Sequence, residues 1–106
     1  RERASAARML AQALRDENRY VRVHSAQCLE RMGPRARPAI PALIEALDDP
    51  ISGPTAASAL AALDAREAIP ALKECLAPGR DADLRAAATR SLADLGVPAD
   101  PAPLVK

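Results

Sequence analysis

Arg37-Pro38-Ala39-Ile40-Pro41-Ala42-Leu43-Ile44-Glu45-Ala46-Leu47 is the stretch that decides the fold. Its Ile40, Leu43, Ile44 and Leu47 stand at i, i+3, i+4 and i+7, one face of an α-helix. Pro38 and Pro41 mark the start, because the first four N–H groups of a helix have no internal partner and a proline loses nothing there. The stretch returns as Glu67-Ala68-Ile69-Pro70-Ala71-Leu72-Lys73-Glu74-Cys75-Leu76, with Ala-Ile-Pro-Ala-Leu identical at an offset of 29 residues.

A second pattern alternates with the first. Val21-Arg22 followed by Ala26, Leu29, Met32 and Gly33 returns as Leu84-Arg85 followed by Thr89, Leu92, Leu95 and Gly96. A looser copy, Ser52-Gly53 with Ala57, Leu60 and Leu63, lies between them, at steps of 31 and 32 residues. Two helical patterns sharing one period mean a two-helix unit, stacked. Asn18, Asp49 and Asp81 stand in matching places before the second-type helices and suit an N-cap; Gly33 and Gly96 follow the last apolar residue, where a left-handed C-cap needs glycine. The spacing predicts helices over 2–15, 18–32, 38–48, 54–63, 67–77 and 82–95, and 98–106 resembles the opening of another. Pro54 requires the fourth helix to begin late, with Ser52 or Gly53 as its cap.

Composition agrees. Of 106 residues, 49% are apolar, yet Phe and Trp are missing and Tyr20 is the only aromatic. An alanine- and leucine-rich core suits closely packed helices and suits a sheet poorly. Leu29, Leu43, Leu60, Leu72 and Leu92 fall at the apolar centres of their helices and are the expected core. No apolar run reaches the length of a membrane span and no signal-peptide pattern opens the chain, so a soluble, cytoplasmic protein is expected. Charge is uneven: residues 1–37 hold nine arginines against four acids, and residues 38–106 hold six Lys/Arg against ten acids.

Together these motifs resemble the HEAT repeat, and within it the short, alanine-rich PBS-lyase HEAT-like type. The resemblance implies an all-α fold, an α-solenoid of stacked antiparallel helix pairs wound into a right-handed, armadillo-type superhelix. It covers units at about 1–33, 36–64 and 67–96, with a partial unit at 98–106, in a single domain. Neither end carries the polar face of a capping repeat, so a longer array is expected. The family's Asp-x5-Arg spacing is matched by Asp16 and Arg22, which the resemblance makes a structural turn pair. Gly53 replaces the arginine in the second unit, and Gly79 replaces the aspartate in the third.

The residues that could carry chemistry are few. His24 is the only histidine and has no sequence-local base, nucleophile or co-ligand. HEAT-like hydroxylases that bind iron carry several His-Glu pairs, which this chain lacks. Cys28 and Cys75 form no Cys-x-x-Cys motif and align with small residues, as packed, inert free thiols would. No catalytic, cofactor-binding or metal set is expected. Arg15, Arg19, Arg22, Arg31, Arg35 and Arg37 form the strongest functional cluster, interleaved with Asp16, Glu17 and Glu30 that can pair with them.

In HEAT stacks the second-type helices line the concave side. Arg19, Val23, Gln27 and Glu30 in the first unit, Ser58 and Ala61 in the second, and Ala86 and Arg90 in the third are therefore expected to bind a partner. A surface of small residues without acid–base groups suits a helix or extended segment. The expected function is a non-catalytic protein–protein interaction scaffold. A nucleic-acid-binding module using the N-terminal arginines is the alternative, disfavoured by near-neutral net charge and the scarcity of stacking aromatics. A bilin lyase-like protein or chaperone subunit is the other; the former needs a tetrapyrrole pocket that no residue set here builds.

Overall fold

Asn18 Oδ1 accepts a hydrogen bond from Tyr20 N at 2.8 Å, and Asp81 Oδ2 accepts from Asp83 N at 3.0 Å and Leu84 N at 3.4 Å. Each carboxylate or amide thus satisfies N–H groups that the helix itself cannot. In the computed structural model, which describes residues 2–97, these caps open α2 (Arg19–Met32) and α6 (Ala82–Asp94). The other α-helices are α1 (Glu2–Ala13), α3 (Ile40–Ala46), α4 (Gly53–Ala62) and α5 (Ile69–Glu74). The expected helical opening at 98–106 lies outside the described residues.

The proline-rich starts differ from expectation. Gly33–Ala39 and Arg66–Ala68 are 3-10 turns leading into α3 and α5, which are correspondingly shorter than their apolar pattern suggested. Pro38 sits inside the first of these turns, so the regular α-helix begins only after it. Pro54 falls in the first turn of α4, consistent with its late start at Gly53.

The second-type helices end alike. Gly33 and Gly96 take positive φ (63° and 83°), and so does Asp64 (55°), one step of 31 residues beyond Gly33. Asp64 is the only non-glycine residue with positive φ among the described residues. A residue with positive φ therefore stands at the end of each of the three helices, whether or not it is glycine, although Gly33, with ψ of −143°, lies outside the left-handed helical basin.

α2, α4 and α6 pack side by side in one layer, and α1, α3 and α5 pair with them on the other side, so that the described residues extend over 51 × 27 × 16 Å. Leu29, Leu43, Leu60, Leu72 and Leu92 are wholly buried, as the periodicity predicts. Ala26, Ala56, Ala57, Ala59 and Ala88 are buried beside them, and their small side chains let the second helices approach closely. The Ser91 hydroxyl donates to the Ala57 carbonyl at 2.7 Å, satisfying a polar group sealed between α4 and α6. Gly53 is needed by space: a Cβ there would stand 2.9 Å from the Leu47 carbonyl oxygen. The arginine that the repeat pattern places at this position cannot fit.

Candidate partner-binding surface

Arg22 Nε donates to Asp49 Oδ2 at 2.7 Å, and its Nη1 donates to the carbonyls of Asp16 (2.9 Å) and Glu17 (3.1 Å). Arg22 thus meets Asp16, its expected turn partner, across this turn, by way of the main chain. Asp16 meets Arg22 through its main-chain oxygen only, while its carboxylate accepts from Asn18 N at 2.8 Å. Arg22 is extended across the boundary to the second helix pair, where Asp49 offers a carboxylate in a half-buried setting.

The Asp49 carboxylate holds two further groups in place. Its Oδ2 accepts from the Ser52 hydroxyl at 2.6 Å and its Oδ1 from Ile51 N at 3.2 Å. Burial alone would push its carboxyl up. The Ser52 hydroxyl, the Arg22 guanidinium and the Ile51 N–H outweigh that and hold it below the ordinary aspartate value of 3.8. The turn from α3 to α4 is thereby tied to α2.

Arg15, Arg22 and Arg37 of the expected cluster, and Arg80 outside it, are committed within the chain, whereas Arg19, Arg31 and Arg35 form no ion pair among the described residues. Arg15 meets Glu45 at 2.7 Å, Arg37 meets Glu67 at 3.2 Å, and Arg80 meets Asp48 at 3.2 Å. With Arg22–Asp49 these partners stand 27 to 32 residues apart, so each of these four ion pairs among the described residues joins one helix pair to the next. Arg37 also donates to the Leu63 carbonyl at 3.1 Å, and Glu30 is not its partner. Arg85, the counterpart of Arg22, has a buried Nε with no hydrogen-bond partner among the described residues.

Three of the expected contact residues, Arg19, Val23 and Gln27, line one groove of about 640 Å3 along α2, with Tyr20, His24 and Ile51. Tyr20 and Ile51 are 75% and 42% exposed, and Met9 on α1 is the other large apolar side chain so exposed among the described residues. Arg19 lies over the Tyr20 ring, its guanidinium carbon 5.9 Å from the ring centroid. Glu30, Ser58 and Ala61 are half-buried and Ala86 and Arg90 exposed on the neighbouring helices, but none of them lines this groove. Tyr20 and Ile51 escaped the sequence reading. Tyr20, the only aromatic of the chain, was a signal available there; Ile51 sits in a turn and belongs to no periodic face.

Around Arg15, Asp16, Glu17, Arg22, Glu45 and Asp49 lies a second hollow of about 290 Å3, walled largely by charges that satisfy one another. Among the described residues no group of three or more His, Cys, Asp or Glu is placed to hold a metal ion, and no helix is long and apolar enough to cross a membrane. Cys75 is buried, which pushes its thiol pKa up, and Cys28 is half-buried; both are free thiols.

The model of a known family, HEAT repeats, matches residues 6–93. No curated protein and no solved structure matches the chain. The all-helical, two-layered stack of helix pairs is the α-solenoid that such repeats imply, and the chain belongs to the HEAT repeat family.

Proposed function

We propose that this domain is a non-catalytic interaction scaffold that takes a protein segment on the face of α2, α4 and α6. One observation carries the reading: Arg19, Val23 and Gln27 converge on a groove whose walls also hold the exposed apolar side chains Tyr20 and Ile51. HEAT repeat domains generally serve as protein-interaction scaffolds, and the family is generally non-catalytic. The internal pairing of Arg15, Arg22, Arg37 and Arg80 supports a protein over a nucleic acid, because it leaves fewer arginines to meet phosphates. Repeat length and alanine content support the short PBS-lyase-like type, and two free thiols fit the cytoplasm.

Photo-crosslinking side chains at Gln27, Ser58 and Arg90, with Lys73 and Glu74 as controls on α5, test the assignment in native extract. The same protein should be captured from the three face positions and not from the controls. Capture spread equally over both sets would sink it. Submicromolar duplex binding that weakens steeply with salt would replace it with the nucleic-acid reading.

A further inference from the structure

We propose that the groove between α2 and the α3–α4 turn docks an acidic amphipathic helix, with an aliphatic side chain seated between Tyr20 and Ile51 and a carboxylate on Arg19. The inference rests on the scaffold reading and narrows it to one anchor site and one partner chemistry.

Shape favours a helix. Tyr20, Val23, His24 and Gln27 stand at i, i+3, i+4 and i+7 of α2, so they form a ridge along the groove floor rather than a closed pocket. A cylinder of side chains lying alongside such a ridge is the helix-in-groove mode of recognition. A strand would need an unpaired sheet edge, and the described residues contain no strand. Two exposed apolar side chains facing one hollow of about 640 Å3 provide the anchor that binding energy concentrates on.

Charge favours an acidic partner. Arg19 is the charged residue lining the groove and no carboxylate lines it, whereas the hollow around Arg22 and Asp49 has its charges matched in-chain. Arg19 forms no ion pair among the described residues; its contact is the Tyr20 ring, which leaves its N–H donors able to meet a carboxylate.

The site is also rigid before it is filled. Ile51 is carried by a turn whose main-chain N–H is held by Asp49, and Asp49 is held by Arg22 of α2 itself. Both walls therefore belong to one hydrogen-bonded unit, which lowers the ordering cost of binding.

Tyr20 is the only aromatic residue, so tyrosine fluorescence reports on this groove alone. The probe is a Leu/Ala/Glu peptide of about 16 residues, long enough to form a helix and free of aromatics, compared with its Leu/Ala/Lys counterpart. The acidic peptide should change Tyr20 emission saturably and bind at least about tenfold more tightly than the basic one at low salt, the gap narrowing as salt is added. Ile51→Asp and Arg19→Glu should each weaken it at least about tenfold by calorimetry, with the helical signal unchanged. Arg90→Glu, on the wider face but outside the groove, should leave it unaltered. No saturable binding, equal binding of both peptides, or indifference to Ile51→Asp would overturn the proposal. Those results would leave crosslinks from Ser58 and Arg90 to judge the wider scaffold face separately.

Discussion

Arg22 Nε and Asp49 Oδ2 lie 2.7 Å apart with both side chains about 21% exposed, and this contact joins the first helix pair to the second. The Asp49 carboxyl is held below its unfolded value, so the stabilisation it brings is complete above about pH 4 and fades as pH falls through the lower, folded value. Thermal melts between pH 6 and pH 2 should show this loss, and Asp49→Asn should flatten that limb. Arg22→Met should cost about 1–3 kcal/mol at neutral pH, since it strands a half-buried carboxylate.

Arg85→Met should behave in the opposite way. Arg85 has the same register as Arg22, yet its buried Nε meets no partner among the described residues, and an unsatisfied donor costs about 1–3 kcal/mol. The denaturation midpoint of this variant should stay level or rise. A fall as large as that of Arg22→Met would show that the two arginines do equivalent work.

Asp64 carries φ of 55° where its counterparts are glycines. Asp64→Gly removes the left-handed strain but loosens the unfolded chain, for a net gain below about 1 kcal/mol. Asp64→Val, with a branched Cβ, should lose about 1–2 kcal/mol. Urea titrations of the two variants should bracket the parent protein.

Leu60 is fully buried on α4, the helix flanked by both α2 and α6. Leu60→Ala should cost about 2–5 kcal/mol and uncouple the two ends of the stack, broadening the melt. Lys73→Ala, at an exposed position, should melt within about 0.5 kcal/mol of the parent.

Both thiols should titrate in the unfolded protein. In the folded state Cys28 should react with a thiol reagent well before Cys75, whose burial denies access and disfavours the thiolate. Equal rates would mean that the α5 end opens readily.

The periodic parts of this fold were legible because periodicity is local. Leu29 to Leu92 announced the core, and Asn18 and Asp81 announced helix starts, each from a few neighbouring residues. Features that depend on residues one unit away were not legible. Asp16 lay at the expected spacing from Arg22, but the carboxylate that reaches it is Asp49, 27 residues on. Asp64 hid its left-handed turn because it is not glycine, and only its register with Gly33 and Gly96 marks it. Likewise Ile51 becomes a groove wall only once Asp49 has tied its turn to α2.

Asp48 and Arg80 occupy the same place in successive helix pairs, one step before Asp49 and Asp81, and they face each other at 3.2 Å. Two faithful copies of one unit would bring carboxylate against carboxylate there. Opposite charges have replaced that symmetry, so the copies are no longer interchangeable. A stack rebuilt with its second pair duplicated would set Asp48 against its own image, a mismatch of the kind that disfavours wrong neighbours more than it strengthens right ones. The chain already sets the order of the helix pairs; at this boundary the opposite charges favour the neighbour it supplies over a copied one.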